Sequence, residues 1–302
     1  MALNKMRMRW LSFLVITLNA QLIFGCAYAP IPRSTTPQII SVAKTSCLAF
    51  EGSEKVALLS GVVFVGEHHG TNESPAFFGS LVCNGLKANR SVHVAFELPE
   101  SWSPLLEEFI TSDLPSTAFP TFLQRSKWDT FVADSPDGRT SMAMVELIKY
   151  LRLLRQSGNQ VTVSAFDTRM WEAPQVFSDI GMAAMLTRNI ERAAADVTFV
   201  LSGEYHTRLL ENTTPFKRQP MAFLVAAARP EFKVRSIVIT YSAGNIWGCK
   251  SKTDCGELYQ PVQVPLSTPK LTMFSDRDSL GYTGDFYVGA ISPSKPYYSA
   301  PK

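Results

Sequence analysis

Gly61-Val62-Val63-Phe64-Val65, running into Gly66-Glu67-His68-His69, is the stretch on which the reading of the fold turns. A short, mostly β-branched apolar run reads as a buried strand, and a glycine followed by charged groups marks where it stops and presents them. The same phrase returns downstream. Val197-Thr198-Phe199-Val200-Leu201-Ser202 leads into Gly203-Glu204-Tyr205-His206. The chain has four histidines, and three of them lie in these two Gly-Glu-x-His phrases. Two strand ends, each carrying a carboxylate and an imidazole, can together furnish one acid–base or metal site.

Outward from this pair, further apolar runs at 92–96, 161–166 and 234–240 read as strands. Helical patterns fall between them. Ser74-Pro75 is a good N-cap and first-turn pair opening a helix that carries Phe77, Phe78, Leu81, Val82 and Leu86. Residues 141–157 form a second helix stopped by Gly158, and 179–195 form a third. Gln219-Pro220 opens a short helix that Pro230 closes. Alternation of strand and helix predicts an α/β fold: a mostly parallel sheet with helices on both faces. Residues 101–140 are less regular and read as a small cap insertion. The domain is expected over 46–262, and 263–302, rich in proline, as a tail that wraps the surface.

Ligands of open parallel sheets bind outside the carboxyl ends of the strands. Those ends here supply Glu67 with His69, then Glu97, then Asp167 with Arg169, then Glu204 with Tyr205, His206 and Arg208. Carboxylates so close together need cations beside them. Glu67, His69, Glu97 and His206 form a donor set suited to Mn, Co, Zn or Fe, which would make hydroxide from water. Without a metal, His69 or His206 serves as general base, oriented by a neighbouring carboxylate. Asp167 orients a partner, and Arg169 or Arg208 stabilises an oxyanion. Of the adjacent histidines, His69 is expected at the centre, because it holds the place of His206, while His68 points away. His93, inside a strand, reads as a hydrogen-bonded core residue, and Glu73 as a partner of a helix dipole.

The N-terminus reads as export machinery. Lys5, Arg7 and Arg9 precede an apolar stretch from Trp10 to Phe24, too short for a membrane span. Residues 1–25 are thus a signal peptide. Ile23-Phe24-Gly25-Cys26 resembles a bacterial lipobox, with Cys26 as the lipidated residue and 26–45 as a tether; the rival is ordinary cleavage after Ala27 or Ala29, the latter disfavoured by Pro30. Ala27, rather than Asp, favours the outer membrane, so the chain is expected in a bacterial periplasm with the lipid anchor as its only membrane contact. The remaining cysteines, Cys47, Cys83, Cys249 and Cys255, are even in number and fit two disulfides in an exported chain. Cys249 and Cys255 flank a short polar loop and form the local pair, leaving Cys47 with Cys83. Composition adds exclusions. With 46% hydrophobic and 18% charged residues the chain has ample core, and a net charge of +3 without a Lys/Arg stripe gives no case for nucleic acid. No repeat of solenoid period is present.

At Gly66-x-x-His69, Gly203-x-x-His206 and the intervening Glu97, the chain resembles a superfamily comprising the TIKI/TraB metalloproteases, the erythromycin esterases and the ChaN-type haem-binding lipoproteins. The Gly-Glu-x-His form of the first motif looks most like the ChaN branch. His69-Gly70-Thr71 followed by Glu73 is similar to the esterases, although those space Glu and His one residue further apart. The resemblance covers roughly residues 55–245 and implies an α/β fold. It also implies one of three chemistries: metal-dependent peptide hydrolysis, opening of a lactone by water activated by His and Glu, or haem binding, for which Tyr205 is the candidate ligand. The expectation is a hydrolase of an ester or amide bond, acting on a small-molecule or peptide substrate, with a haem- or iron-binding lipoprotein as the alternative.

Overall fold

The computed structural model describes residues 47–87, 89–114, 116–168, 178–211, 219–251, 254–263 and 268–299. The signal peptide, Cys26, the whole tether and Arg169 lie outside the described residues.

The expected strands form and set the frame: β1 (Gly61–Glu67), β2 (Val92–Pro99), β3 (Val161–Asp167), β4 (Val197–Gly203) and β5 (Arg235–Thr240). All pair in parallel, in the order β3-β2-β4-β1-β5. β1 shows why such runs are apolar throughout. Val63 and Val65 face a core layer with α1 (Glu73–Leu86) and α5 (Met142–Gln156). Val62 and Phe64 face the opposite layer, with α6 (Ser178–Ala193) and α7 (Met221–Ala228). Helices cover both faces, as a parallel sheet requires.

Three local expectations are refined. Helix α1 begins one residue before Ser74, and its first turn is held by Thr71, whose hydroxyl accepts from the Ser74 amide and donates to the Ser74 hydroxyl. Ser141 caps α5 by accepting from the Met144 amide. Gly158, at φ +89°, follows the end of α5 in the left-handed conformation that a glycine stop requires.

The insertion at 101–140 is more regular than its sequence indicates. It holds α2 (Ser103–Thr111), α3 (Ala118–Arg125) and α4 (Trp128–Asp134), fastened by an aromatic cluster in which Trp102 stacks on Trp128 at 5.1 Å. Helix α2 also covers the sheet edge. Glu107 accepts from the Val163 amide, and Ser103 bonds both the amide and the carbonyl of Ala165, so part of the free edge of β3 is capped by side chains.

The C-terminal segment departs most from expectation. Rather than only wrapping the surface, it adds β8 (Lys270–Met273) and β9 (Gly284–Tyr287) to the main sheet, completing seven strands in which only β8 is antiparallel to its neighbour. These strands have four residues each, too few for a periodic signal. Before them, β6 (Gly244–Ser251) and β7 (Asp254–Gln260) form a separate antiparallel hairpin. Both expected disulfides are present. Cys249 faces Cys255 across this hairpin, and Cys47 is joined to Cys83 of α1. Among the described residues no helix is long and apolar enough to cross a membrane.

Candidate functional site

The strand order explains why the repeated phrases meet. β1 and β4 are neighbours, with Glu67 opposite Gly203, so the two Gly-Glu-x-His segments leave the sheet side by side. β2 and β3 lie next along, bringing Glu97 and Asp167 to the same edge. Each phrase needs its glycine. A methyl group on Gly66 would come within 2.4 Å of the Thr207 hydroxyl. One on Gly203 would stand 3.2 Å from His69 Nε2 and 3.6 Å from Glu97. Gly203 is therefore the floor on which the site is laid.

Above that floor lies a cavity of ≈ 330 Å³ lined by Glu67, His69, Glu97 and His206, together with His68, Asp137, Arg139, Glu204 and Tyr205. Glu97 is its centre and is buried. One of its oxygens accepts from the Ser202 hydroxyl at 2.6 Å and the Gly203 amide at 2.8 Å. The two imidazoles converge on it from either side, His69 Nε2 at 3.7 Å and His206 Nε2 at 3.8 Å. These separations exceed hydrogen-bond reach, so neither Nε2 is consumed by Glu97. The Nδ1 atoms are consumed. His69 Nδ1 lies 3.1 Å from Glu67, and His206 Nδ1 lies 2.6 Å from Asp179 in the first turn of α6. Each imidazole is oriented by a carboxylate behind it and turns its other nitrogen to the cavity.

Charge also acts on His69. Burial works to lower the pKa of His69, but the Glu67 hydrogen bond and the charges of Glu97, Glu67 and Asp137 outweigh it and raise it above the ordinary imidazole value. The required cation is Arg139, buried on the loop before α5. It reaches Asp167 at 2.8 Å, Asp137 at 2.8 Å and Glu97 at 3.7 Å. Burial opposes ionisation of Asp137, yet Arg139 holds its carboxyl below the usual range.

The sequence-derived candidates thus divide. Glu67, His69, Glu97 and His206 line one cavity, and Asp167 is ion-paired with Arg139 at 2.8 Å. Arg208 is drawn to Glu204 at 3.3 Å and lies 4.5 Å over the Tyr205 ring. His68 lines the same cavity on another side, 3.2 Å from Glu204 and edge-on to Tyr241. His93 is a satisfied core residue between the Thr162 and Ser164 hydroxyls, its pKa pushed down to about 4 by burial. Glu73 accepts from the amide and hydroxyl of Ser292, tying the C-terminal segment to α1. Asp137, Arg139 and Asp179 escaped sequence reading, because they come from a loop and a helix start rather than from strand ends.

The donor set does not fit a metal ion. Among the described residues no group of three His, Cys, Asp or Glu side chains is arranged to hold one. Glu97, the carboxylate between the two Nε2 atoms, is hydrogen-bonded by Ser202 and Gly203 on one oxygen, and the Arg139 cation faces the other. Nor do the residues fit haem. The lining is charged rather than apolar, and the Arg208 guanidinium lies over the Tyr205 ring.

No protein-family model matches the chain, and no curated protein matches its sequence. Solved structures do match. The erythromycin esterase EreC, as a variant in its open conformation, superposes with a TM-score of 0.55 over 80% of this chain and 93% of that one, at 11% identity. A succinoglycan biosynthesis protein gives a TM-score of 0.56 over 81% and 91%, also at 11% identity. The chain has the α/β fold found in the erythromycin esterase, one branch of the superfamily that its two Gly-x-x-His motifs resemble.

Proposed function

We propose that this protein hydrolyses an ester or amide bond by acid–base catalysis between two imidazoles. The observation that carries this reading is the pair of rings, each backed by a carboxylate on Nδ1 and each turning Nε2 toward Glu97 and the cavity. His206 Nε2 accepts a proton from water as its oxygen adds to the substrate carbonyl carbon. Protonated His69 donates a hydrogen bond from Nε2 to the oxyanion that forms and keeps its proton, so the C=O bond re-forms on collapse. As the tetrahedral intermediate collapses, the bond to the leaving group breaks and the leaving group takes the proton from His206. Glu97, between the rings, stabilises whichever is cationic, and Arg139 keeps Glu97 and Asp167 in register. No step passes through a metal. The two disulfides support export, and the lipobox-like Cys26 supports a lipid anchor at the outer membrane, with the lipid as the membrane contact and a small molecule or peptide as the substrate.

The test is hydrolysis of a panel of lactones, carboxylic esters and peptide amides in ¹⁸O-labelled water, with products weighed by mass spectrometry. The expected result is one labelled oxygen in the new carboxylate of at least one ester or amide. No hydrolysis across the panel would overturn the reading.

A further inference from the structure

We propose that Asp179 is a positioning residue that fixes His206 in the tautomer with its proton on Nδ1 and its lone pair on Nε2, facing the cavity. This rests on the hydrolytic reading for its consequence, but its geometry stands independently. Asp179 is buried, and its Oδ1 lies 2.6 Å from His206 Nδ1. The same oxygen accepts from the Met221 amide at 3.1 Å, at the start of α7. A backbone amide can only donate, so this oxygen is already an acceptor, and an ionised Asp179 has no proton to give. The hydrogen in the short contact therefore sits on Nδ1, which leaves Nε2 of the neutral ring as the acceptor.

The two rings differ in how they are held. Glu67 lies two residues from His69 and moves with the same strand end. Asp179 belongs to α6 and is bonded to α7, so His206 is referenced to the helical layer behind the sheet. Losing this carboxylate leaves His206 on its short 3-10 turn (Glu204–Thr207) but frees the ring to rotate and to exchange tautomers. It also removes the anion that stabilises the ring when it is cationic. Asp179→Asn loses the charge and can turn its amide NH2 toward Nδ1, which admits the Nε2–H tautomer, whereas Asp179→Ala removes the partner altogether.

The experiment is long-range ¹H–¹⁵N NMR of protein labelled at its histidine rings, on wild type, Asp179→Asn and Asp179→Ala. Each melting temperature is recorded, and p-nitrophenyl acetate hydrolysis is followed on the same samples. The expected spectrum shows His206 as the Nδ1–H tautomer in wild type, and a mixture or the opposite tautomer in Asp179→Asn and in Asp179→Ala. His93 resonances stay in place in all three. An unchanged His206 tautomer in folded Asp179→Ala overturns the proposal, as does an Nε2–H tautomer in wild type; if Asp179→Ala does not fold, the wild-type and Asp179→Asn spectra decide alone. Kinetics adds the functional arm. kcat is expected to fall on the order of 10³–10⁴-fold in both variants, with KM nearly unchanged. If the spectra behave as stated but wild type turns over no ester, the hydrolytic reading fails while the positioning role stands.

Discussion

Gly203 shows how little room the site leaves. Its missing side chain is what lets His69 Nε2, Glu97 and His206 share one volume, since a methyl group there would meet all three within 3.6 Å. Gly203 itself has an ordinary backbone (φ −55°), so alanine is tolerated by the chain and its methyl group would press chiefly on His69 Nε2, at 3.2 Å. Gly203→Ala should therefore keep a cooperative unfolding transition within about 1 kcal/mol of wild type while lowering kcat/KM at least about 100-fold. Urea melts and initial rates on the two proteins check both halves. At this scale sequence reading reached far. Glu67, His69, Glu97, Asp167 and His206 were legible because a buried strand that ends in charged residues has few structural reasons to do so. Asp137, Arg139 and Asp179 were not, because an Asp or Arg in a loop or a first helical turn is ordinary there, and only the fold brings these to the strand ends.

At the scale of elements, the loop carrying His69 is held by parts of the chain far from it in sequence. The Gly70 carbonyl accepts from the amides of Trp247 in the hairpin and Ser294 in the C-terminal segment. The Trp247 indole donates to the Pro136 carbonyl, on the loop that carries Asp137 and Arg139. Gly70 has φ +81°, and a methyl group on it would meet the Trp247 carbonyl oxygen at 2.0 Å. Gly70→Ala is expected to displace the hairpin from the site loop, costing about 2–4 kcal/mol of stability and most of the activity. Hydrogen exchange should show faster exchange confined to the hairpin and residues 68–73; protection equal to wild type would contradict this. The elements legible in sequence were those with strong periodicity or β-branched runs. Helices α2 to α4 were missed because they are short, with nine, eight and seven residues, and are held by the packing of Trp102, Phe109, Phe122 and Trp128. Strands β8 and β9 are short and become strands only by joining an existing sheet.

For the whole molecule, the buried histidine outside the site governs part of the response to acid. The folded-state pKa of His93, about 4, lies below the ordinary value of 6.5. The unfolded chain therefore binds this proton first as pH falls. Stability from the neutral buried ring is complete above pH 6.5 and is lost progressively down to pH 4, by about 3 kcal/mol in all. His93→Gln, which keeps a hydrogen-bonding side chain between Thr162 and Ser164, should flatten that slope by a similar amount. Urea unfolding of both proteins at pH 7, 5 and 4 measures it, and parallel slopes would refute it. The central claim concerns the molecule's purpose: one site, assembled from two strand ends, in which both imidazoles are required and no metal is. The most direct test is the rate of ester hydrolysis by wild type, His69→Ala and His206→Ala, each before and after exhaustive dialysis against EDTA, with circular dichroism confirming the fold. The account predicts turnover in wild type that survives chelation and falls by about 10²–10⁴-fold in each variant. Undiminished turnover in either variant, or activity lost to EDTA and restored by a divalent ion, would contradict it.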